Sequence, residues 1–336
     1  MQLSWYPFDL QLKHTFTISN YSRSYTPLVL IQISHQGLTG YGEASLPPYL
    51  GESQESVQVF FERVDLSSFR EIDIPAIHAY LETLSPHHTA AKAAVDMALH
   101  DLLGKTMDQP CYRLLGSDPA AMPATTLTIG IDEPEVLFRK VQEAGDFRFL
   151  KVKLGSKDDR RIIETIRLVS DKPIYVDANQ GWKEWSHALE MICWLQEQGV
   201  VLIEQPMPKE LPELTARLRQ QSPLPIFADE SCQRLGDIDA LKGVFDGINI
   251  KLMKCSGMYE ARQMIARARA LDMGVMIGCM NESSCAIMAA AALAPQADHC
   301  DLDGPWLVNN NPFEAPLLED GKIMLSDRPG LGVIRL

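Results

Sequence analysis

Apolar positions change rhythm twice along the chain. In the first 45 residues they form short β-branched blocks, PLVLIQI (27–33) and then GYGEA (40–44), separated by the His35-Gln36-Gly37 turn region. Such blocks predict strands of a hairpin-like sheet. From Thr89 to Lys105, Ala91, Val95, Ala98, Leu99 and Leu102 recur at three- and four-residue spacing. That is the period of a helix face, with Thr89 as the expected cap. Strands followed by a helix predict a separate α+β unit over residues 1–122. Beyond residue 123 the rhythm repeats: TTLTIG (125–130), FLKVKL (149–154), PIYVDAN (173–179), VLIEQP (201–206), PIFADES (225–231), GINIKL (247–252), GVMIGC (274–279) and HCDLDG (299–304). Most of these blocks are separated by a helical stretch such as Asp158–Ser170, Trp185–Gln198 or Met258–Leu271. Eight such units predict a closed parallel β/α barrel over residues 123–304. An open doubly wound sheet is the alternative, but no glycine-rich phosphate loop supports it. Residues 305–336 lack a periodic helix and are expected to return to the first unit.

In a parallel barrel, functional groups gather at the C-terminal strand ends. Lys151 and Lys153 are two apart and share a strand face, so both can enter the barrel mouth. Lysines at strand ends also often simply reach solvent. Asp177, Glu204 and Asp229 end three successive strands. One acid there would be a helix cap or a surface charge; three repel each other unless a cation sits between them. An all-oxygen donor set without His or Cys favours Mg²⁺ over Zn²⁺, and tolerates Mn²⁺. Lys251 ends the sixth strand, opposite the second in a closed barrel of eight. Lys153 and Lys251 are therefore expected to face each other across the mouth. Two opposed amines can take a proton from one face of a carbon and return it to the other. A carbon beside a carboxylate is a very weak acid, because charge gathers on the carboxylate oxygens as the proton leaves; a divalent cation favours that redistribution. Asp301 and Asp303 share a face of the eighth strand. Their spacing leaves two readings open: a receptor for a substrate ammonium, or solvent-facing acids and a helix cap before Pro305.

Composition narrows the setting. The 336 residues are 46% hydrophobic and 22% charged, as in ordinary globular proteins. A net charge of −13 without a basic cluster argues against a nucleic-acid partner. No apolar run of about 18 residues is present to span a membrane. The opening MQLSWYPFDL does not read as a secretory signal. Seven scattered cysteines without a CxxC pair suggest reduced thiols and a cytoplasmic location.

The motifs KVK, VDANQGW, IEQP, ADES and NIKLMKCSG, in this order on successive strands behind an N-terminal cap, resemble the enolase superfamily, in its muconate-lactonizing-enzyme-like subgroup. The match spans nearly the whole chain, and five motifs in order are highly specific. The resemblance implies a modified TIM barrel, (β/α)7β, with an α+β N-terminal capping domain completed by the C-terminal segment. It implies that Asp177, Glu204 and Asp229 ligate Mg²⁺, that Lys153 and Lys251 are the acid/base pair, and that Lys151 assists at the substrate carboxylate. Within the subgroup the likeness is to dipeptide epimerases of the L-Ala-D/L-Glu type, which implies that Asp301 and Asp303 hold the dipeptide ammonium. Thr128 and Cys279 would then line the substrate pocket, although on spacing alone Cys279 reads equally well as a small core residue. Arg23, in SNYSRSYTP, matches the arginine that glutamate-specific members place in a cap loop; the flanking residues align only with a gap. Pro47–Gly51 would be a second lid element. A role in murein-peptide recycling is implied in the same way; the oligomeric state stays open, with a homo-oligomer suggested only because barrels with caps often associate. Alternatives are an o-succinylbenzoate synthase or cycloisomerase, whose substrates carry no ammonium, or a non-enzymatic metal or peptide sensor.

Overall fold

The computed structural model describes residues 1–17 and 22–336. The chain opens with three antiparallel strands, β1 (Gln2–Thr17), β2 (Ser22–His35) and β3 (Leu38–Ser45), in the order β1-β2-β3. Two short helices follow, α1 (Gln54–Glu62) and α2 (Ile74–Leu84), which the apolar rhythm does not mark. Each has a local start signal: a capping box between Ser53 and Ser56, and an Asp73 side chain accepting the Ala76 N–H with proline in the first turn. The long helix α3 (Thr89–Thr106) lies almost wholly buried. It packs directly on β3, whose GYGEA glycines make the approach possible: a Cβ on Gly40 or Gly42 would lie 2.0 Å from the carbonyl oxygen of Ala98 or Ala94.

The start of α3 differs from expectation. Thr89 is the first helical residue, and His88 before it is left-handed at φ 63° with no side-chain cap. The orphan N–H groups of Ala90 and Ala91 instead donate to the Glu52 carboxylate, at 2.9 and 3.2 Å. A cap supplied by a residue so far upstream is invisible to a local rule.

The second sheet is parallel and eight-stranded: β4 (Thr126–Ile129), β5 (Phe149–Lys153), β6 (Ile174–Asp177), β7 (Val200–Glu204), β8 (Ile226–Ala228), β9 (Gly247–Lys251), β10 (Gly274–Gly278) and β11 (His299–Asp301), each beside its neighbour in sequence. A parallel bridge between Thr125 and Cys300 joins the last strand to the first and closes the barrel. Helices at 134–143, 159–167, 185–197, 212–221, 238–241, 258–270 and 284–291 fill the seven intervals. This is the (β/α)7β barrel, and the open sheet is excluded.

Strand alternation sorts the barrel interior into layers. Two residues before the strand-end acids stand Tyr175, Leu202 and Phe227, which with Met276 form a buried plug beneath the mouth. Tyr175 Oη lies 2.8 Å from His299 Nδ1 and completes that floor. Above it, the next inward position on each strand faces the mouth.

The C-terminal segment runs back over the first unit. Lys13 N–H donates to Leu307 O, Asn309 N–H to Gln11 O, and Leu331 N–H to the buried Asp101 carboxylate of α3. Tyr112 and Arg113 reach Asp327. The cap is thus built from both ends of the chain.

Candidate active site

Register sets the mouth. Lys153, Asp177 and Glu204 are paired across β5, β6 and β7 as the last residue of each strand. Asp229 follows one residue after β8, and Lys251 ends β9 beside Gly278 of β10, which in turn pairs with Asp301. All six polar side chains are buried. Oxygens of Asp177, Glu204 and Asp229 lie within 4.8 Å of one another, so the three could hold one metal ion.

Amines thread between these acids. Lys151 Nζ lies 2.7 Å from Glu204 Oε2, 2.7 Å from Asp301 Oδ2 and 3.5 Å from Asp177 Oδ2. Lys153 Nζ donates to Asp177 Oδ2 at 2.6 Å, and Lys251 Nζ to Asp229 Oδ2 at 2.7 Å. Neither strand-end lysine is a solvated surface charge. Strands β5 and β9 are the second and sixth of the closed barrel, and both lysines line one pocket.

The electrostatics report crowding of negative charge. Burial, followed by the Asp177 charge, pushes the Glu204 carboxyl up to about 7, against the pull of Lys151. Burial and the neighbouring Asp229 push Glu230 up to about 8. Burial alone would raise Asp229 as well, but Lys251 and Lys254 hold it well below the carboxylate range. For Lys251 burial works downward, and Asp229, Tyr49 and Glu204 overcome it to hold the amine well above its ordinary value. Five buried carboxyls (Asp177, Glu204, Asp229, Asp301 and Asp303) and the half-buried Glu230 crowd around four amines (Lys151, Lys153, Lys251 and Lys254), and the upward push on Glu204 and Glu230 marks an excess of negative charge that a cation would relieve.

Asp301 and Asp303 are neither solvated nor a helix cap: both are buried, and Asp303 precedes the turn 304–306 without a side-chain cap bond. Asp301 Oδ1 accepts from Thr126 Oγ1 at 2.6 Å, and Asp303 Oδ2 accepts the Thr128 N–H at 2.5 Å. Burial and the Asp301 charge push Asp303 up to about 6, against its bonds to Thr128. Cys279 Sγ lies 3.9 Å from Asp303 Oδ1, and both Thr128 and Cys279 line the pocket.

From the cap, Phe16, Arg23, Pro47 and Tyr49 complete the pocket wall. Arg23 sits on β2, paired with Phe16 of β1; Ser19, Asn20 and Tyr21 of its segment lie outside the described residues. Tyr49 Oη reaches Met280 Sδ at 3.2 Å and joins the Pro47–Gly51 element to the loop after β10.

Three supporting residues escape a reading of strand ends. Lys254 Nζ donates to Asp229 Oδ1 and to the carbonyls of Asp229 and Asn249. Asn249, two residues before Lys251, donates its amide to Glu204 Oε1 at 2.9 Å. Gln205 Oε1 accepts the N–H groups of Asp229 and Ser231 and fixes that turn. The two-residue period from Lys251 could have found Asn249; Lys254 comes from a turn that the period does not reach.

Two family descriptions match the chain: the mandelate racemase / muconate lactonizing enzyme N-terminal domain over residues 8–116, and the enolase C-terminal domain-like family over residues 135–334. The L-Ala-D/L-Glu epimerase of Bacteroides thetaiotaomicron is 54% identical over 338 residues, covering 100% of this chain and 88% of that protein. A substrate-liganded L-Ala-D/L-Glu epimerase from Bacillus subtilis superposes with a TM-score of 0.91 at 27% identity, covering 100% of this chain and 98% of that one. A dipeptide epimerase from Enterococcus faecalis V583, complexed with Mg and L-Leu-L-Tyr, gives 0.90 at 32% identity, covering 99% and 98%. Cap, closed barrel and strand-end acids thus agree with these matches: the chain belongs to the mandelate racemase / muconate lactonizing enzyme family, with its enolase C-terminal domain-like barrel.

Proposed function

We propose that this protein is an isomerase that epimerises a dipeptide at the α-carbon of its C-terminal residue, with L-Ala-D/L-Glu as the preferred class. The observation that carries the reading is the pair of buried amines, Lys153 and Lys251, on the second and sixth strands of one closed barrel and lining one pocket. Lyase chemistry on a substrate without an ammonium gives no use for the buried Asp301 and Asp303, and a binding-only sensor gives none for two opposed amines. The 54% identical relative is named for this activity.

Asp177, Glu204 and Asp229 are the ligands we assign to Mg²⁺; their donors are all oxygen, and the crowded negative charge that pushes Glu204 up fits a cation between them. Held by these three carboxylates, a divalent ion would supply positive charge for the substrate carboxylate; Asp177 and Asp229 are also the acceptors for Lys153 and Lys251. The chain's own groups do the rest. Lys151 places an ammonium beside Glu204 and Asp301, where it stabilises charge on the carboxylate. One of Lys153 and Lys251 removes the α-proton, and the other delivers a proton to the opposite face. Asp301 and Asp303 hold the substrate ammonium, with Thr128 and Cys279 beside them. Arg23 pairs with the glutamate side-chain carboxylate, closed over by the Pro47–Gly51 element.

The same reading divides the chain into a cap (1–122), a catalytic barrel (123–304) and a segment returning to the cap (305–336). The described helices include none long and apolar enough to cross a membrane. Seven free cysteines, six of them buried, suit the reducing cytoplasm. Proton NMR in D₂O with L-Ala-L-Glu tests the function: the glutamate α-proton signal is expected to wash out as L-Ala-D-Glu forms. Retention of that proton refutes the epimerase reading.

A further inference from the structure

Each of the three acids assigned to the ion uses its two oxygens differently. Asp229 Oδ2 takes the Lys251 amine at 2.7 Å, and Asp229 Oδ1 takes Lys254 at 2.6 Å. Glu204 Oε2 lies 2.7 Å from Lys151 Nζ, and Glu204 Oε1 accepts the Asn249 amide at 2.9 Å. Asp177 Oδ2 takes Lys153 at 2.6 Å, and Asp177 Oδ1 accepts the Asn179 N–H at 2.9 Å. One oxygen of every acid thus meets an amine of the mouth, and the other meets a donor fixed in the fold. Lys254 is fixed because its three N–H groups have three acceptors: Asp229 Oδ1, and the carbonyls of Asp229 and Asn249 at 2.8 and 3.0 Å. Asn249 is held against β10, where a Cβ on Gly278 would lie 2.4 Å from Asn249 Oδ1. Both residues are buried, and neither lines the reaction pocket.

Those fixed donors limit what an ion can take. Calcium is large and collects roughly six to eight oxygens, often two from one carboxylate, whereas magnesium is small, octahedral and keeps several waters. To give a second oxygen, Asp229 would have to turn Oδ1 away from Lys254, which leaves a buried ammonium with only two neutral carbonyls. Glu204 would likewise strip the Asn249 amide of its acceptor. An ion that needs one oxygen per acid disturbs neither bond. We infer that Lys254 and Asn249 set the ion selectivity of the site: each ties up one oxygen of a ligand, so the acids offer one oxygen apiece and the site favours a small octahedral ion over calcium. Their role is positioning, since they act through Asp229 and Glu204. The inference rests on the metal assignment made above and extends it to how the ion is chosen.

Isothermal titration of the metal-stripped, full-length protein with MgCl₂ and with CaCl₂ gives a Kd for each ion in wild type, Lys254→Met and Asn249→Leu. Lys254→Met keeps the side chain long and removes the ammonium; Asn249→Leu keeps the shape and changes no charge. The ratio of calcium Kd to magnesium Kd is expected to fall about tenfold or more in each variant. A role in charge or folding alone moves both ions together, so an unchanged ratio in the folded variants overturns the inference. Wild-type infrared difference spectra, ion-bound minus ion-free, decide the matter even if neither variant folds. The carboxylate stretches are expected to split widely with either ion, the mark of one-oxygen coordination. The narrow split of two-oxygen coordination with calcium would sink the selectivity argument. Absence of binding by both ions in the wild type would instead refute the metal assignment beneath it.

Discussion

Substituting Glu43 by Gln reads out the cap–barrel joint as a pH-dependent stability. Glu43 is the acid of GYGEA on β3, fully buried, and its carboxylate accepts the Ser283 N–H at 2.8 Å and the Ser283 hydroxyl. It thereby fixes the start of the barrel helix at 284–291 to the cap sheet. Burial is the dominant influence and pushes its carboxyl up from 4.5 to about 7, with the Ser283 and Ala286 bonds pulling down. Between those two values the folded protein holds a proton that the unfolded chain has released. Stability from this group is therefore complete below about pH 4.5 and falls as pH rises to about 7. Linkage with these two values gives a wild-type loss of about 2.5 kcal/mol between about pH 5 and about pH 8. Glutamine keeps an oxygen to accept the Ser283 N–H and an N–H₂ to donate to the hydroxyl, and it has no charge to bury. Urea midpoints for both proteins at the two pH values are the assay. Glu43→Gln is expected to gain about 2.5 kcal/mol on wild type from the lower pH to the higher. An equal difference at both pH values would refute the argument that a buried carboxylate is being charged there.

Other perturbations act at separate points. Arg23→Met is expected to lower kcat/KM for L-Ala-L-Glu about 30-fold, the worth of a charge-assisted pair at about 2 kcal/mol; an equal loss with L-Ala-L-Gln would show that Arg23 does not read the side-chain carboxylate. Exhaustive EDTA treatment should abolish turnover and lower the Tm. Magnesium added back at 100 times its Kd should restore activity and about 2.7 kcal/mol of stability, and activity that survives chelation contradicts the metal assignment. Glu52→Ala, which strips the carboxylate from the start of α3, is expected to cost about 1–2 kcal/mol in urea unfolding, and a loss under about 0.3 kcal/mol would show that water caps the helix equally well.

The barrel was legible because its strands are short apolar blocks whose functional residues fall at the same end. Period two then predicts that Lys151 and Lys153 both point inward, as they do. Elements fixed by distant partners were not legible. Glu52 caps α3 across a long sequence separation, and Lys254 joins Asp229 from a turn. The strand-8 acids show the same limit. Spacing allowed solvated carboxylates there, and only folding brings Lys151, Thr126 and Thr128 against them. α1 and α2 were missed because they are short, and their caps are single polar residues that also suit turns.

The central claim is that two amines serve opposite faces of one carbon. It is tested most directly by following α-proton exchange in D₂O from L-Ala-L-Glu and from L-Ala-D-Glu, separately, in Lys153→Ala and Lys251→Ala. The account predicts that each variant loses interconversion by at least a thousandfold yet still exchanges the α-proton of one epimer, and that the two variants retain opposite epimers. Interconversion at near wild-type rate in either variant, or retention of the same epimer by both, would contradict it.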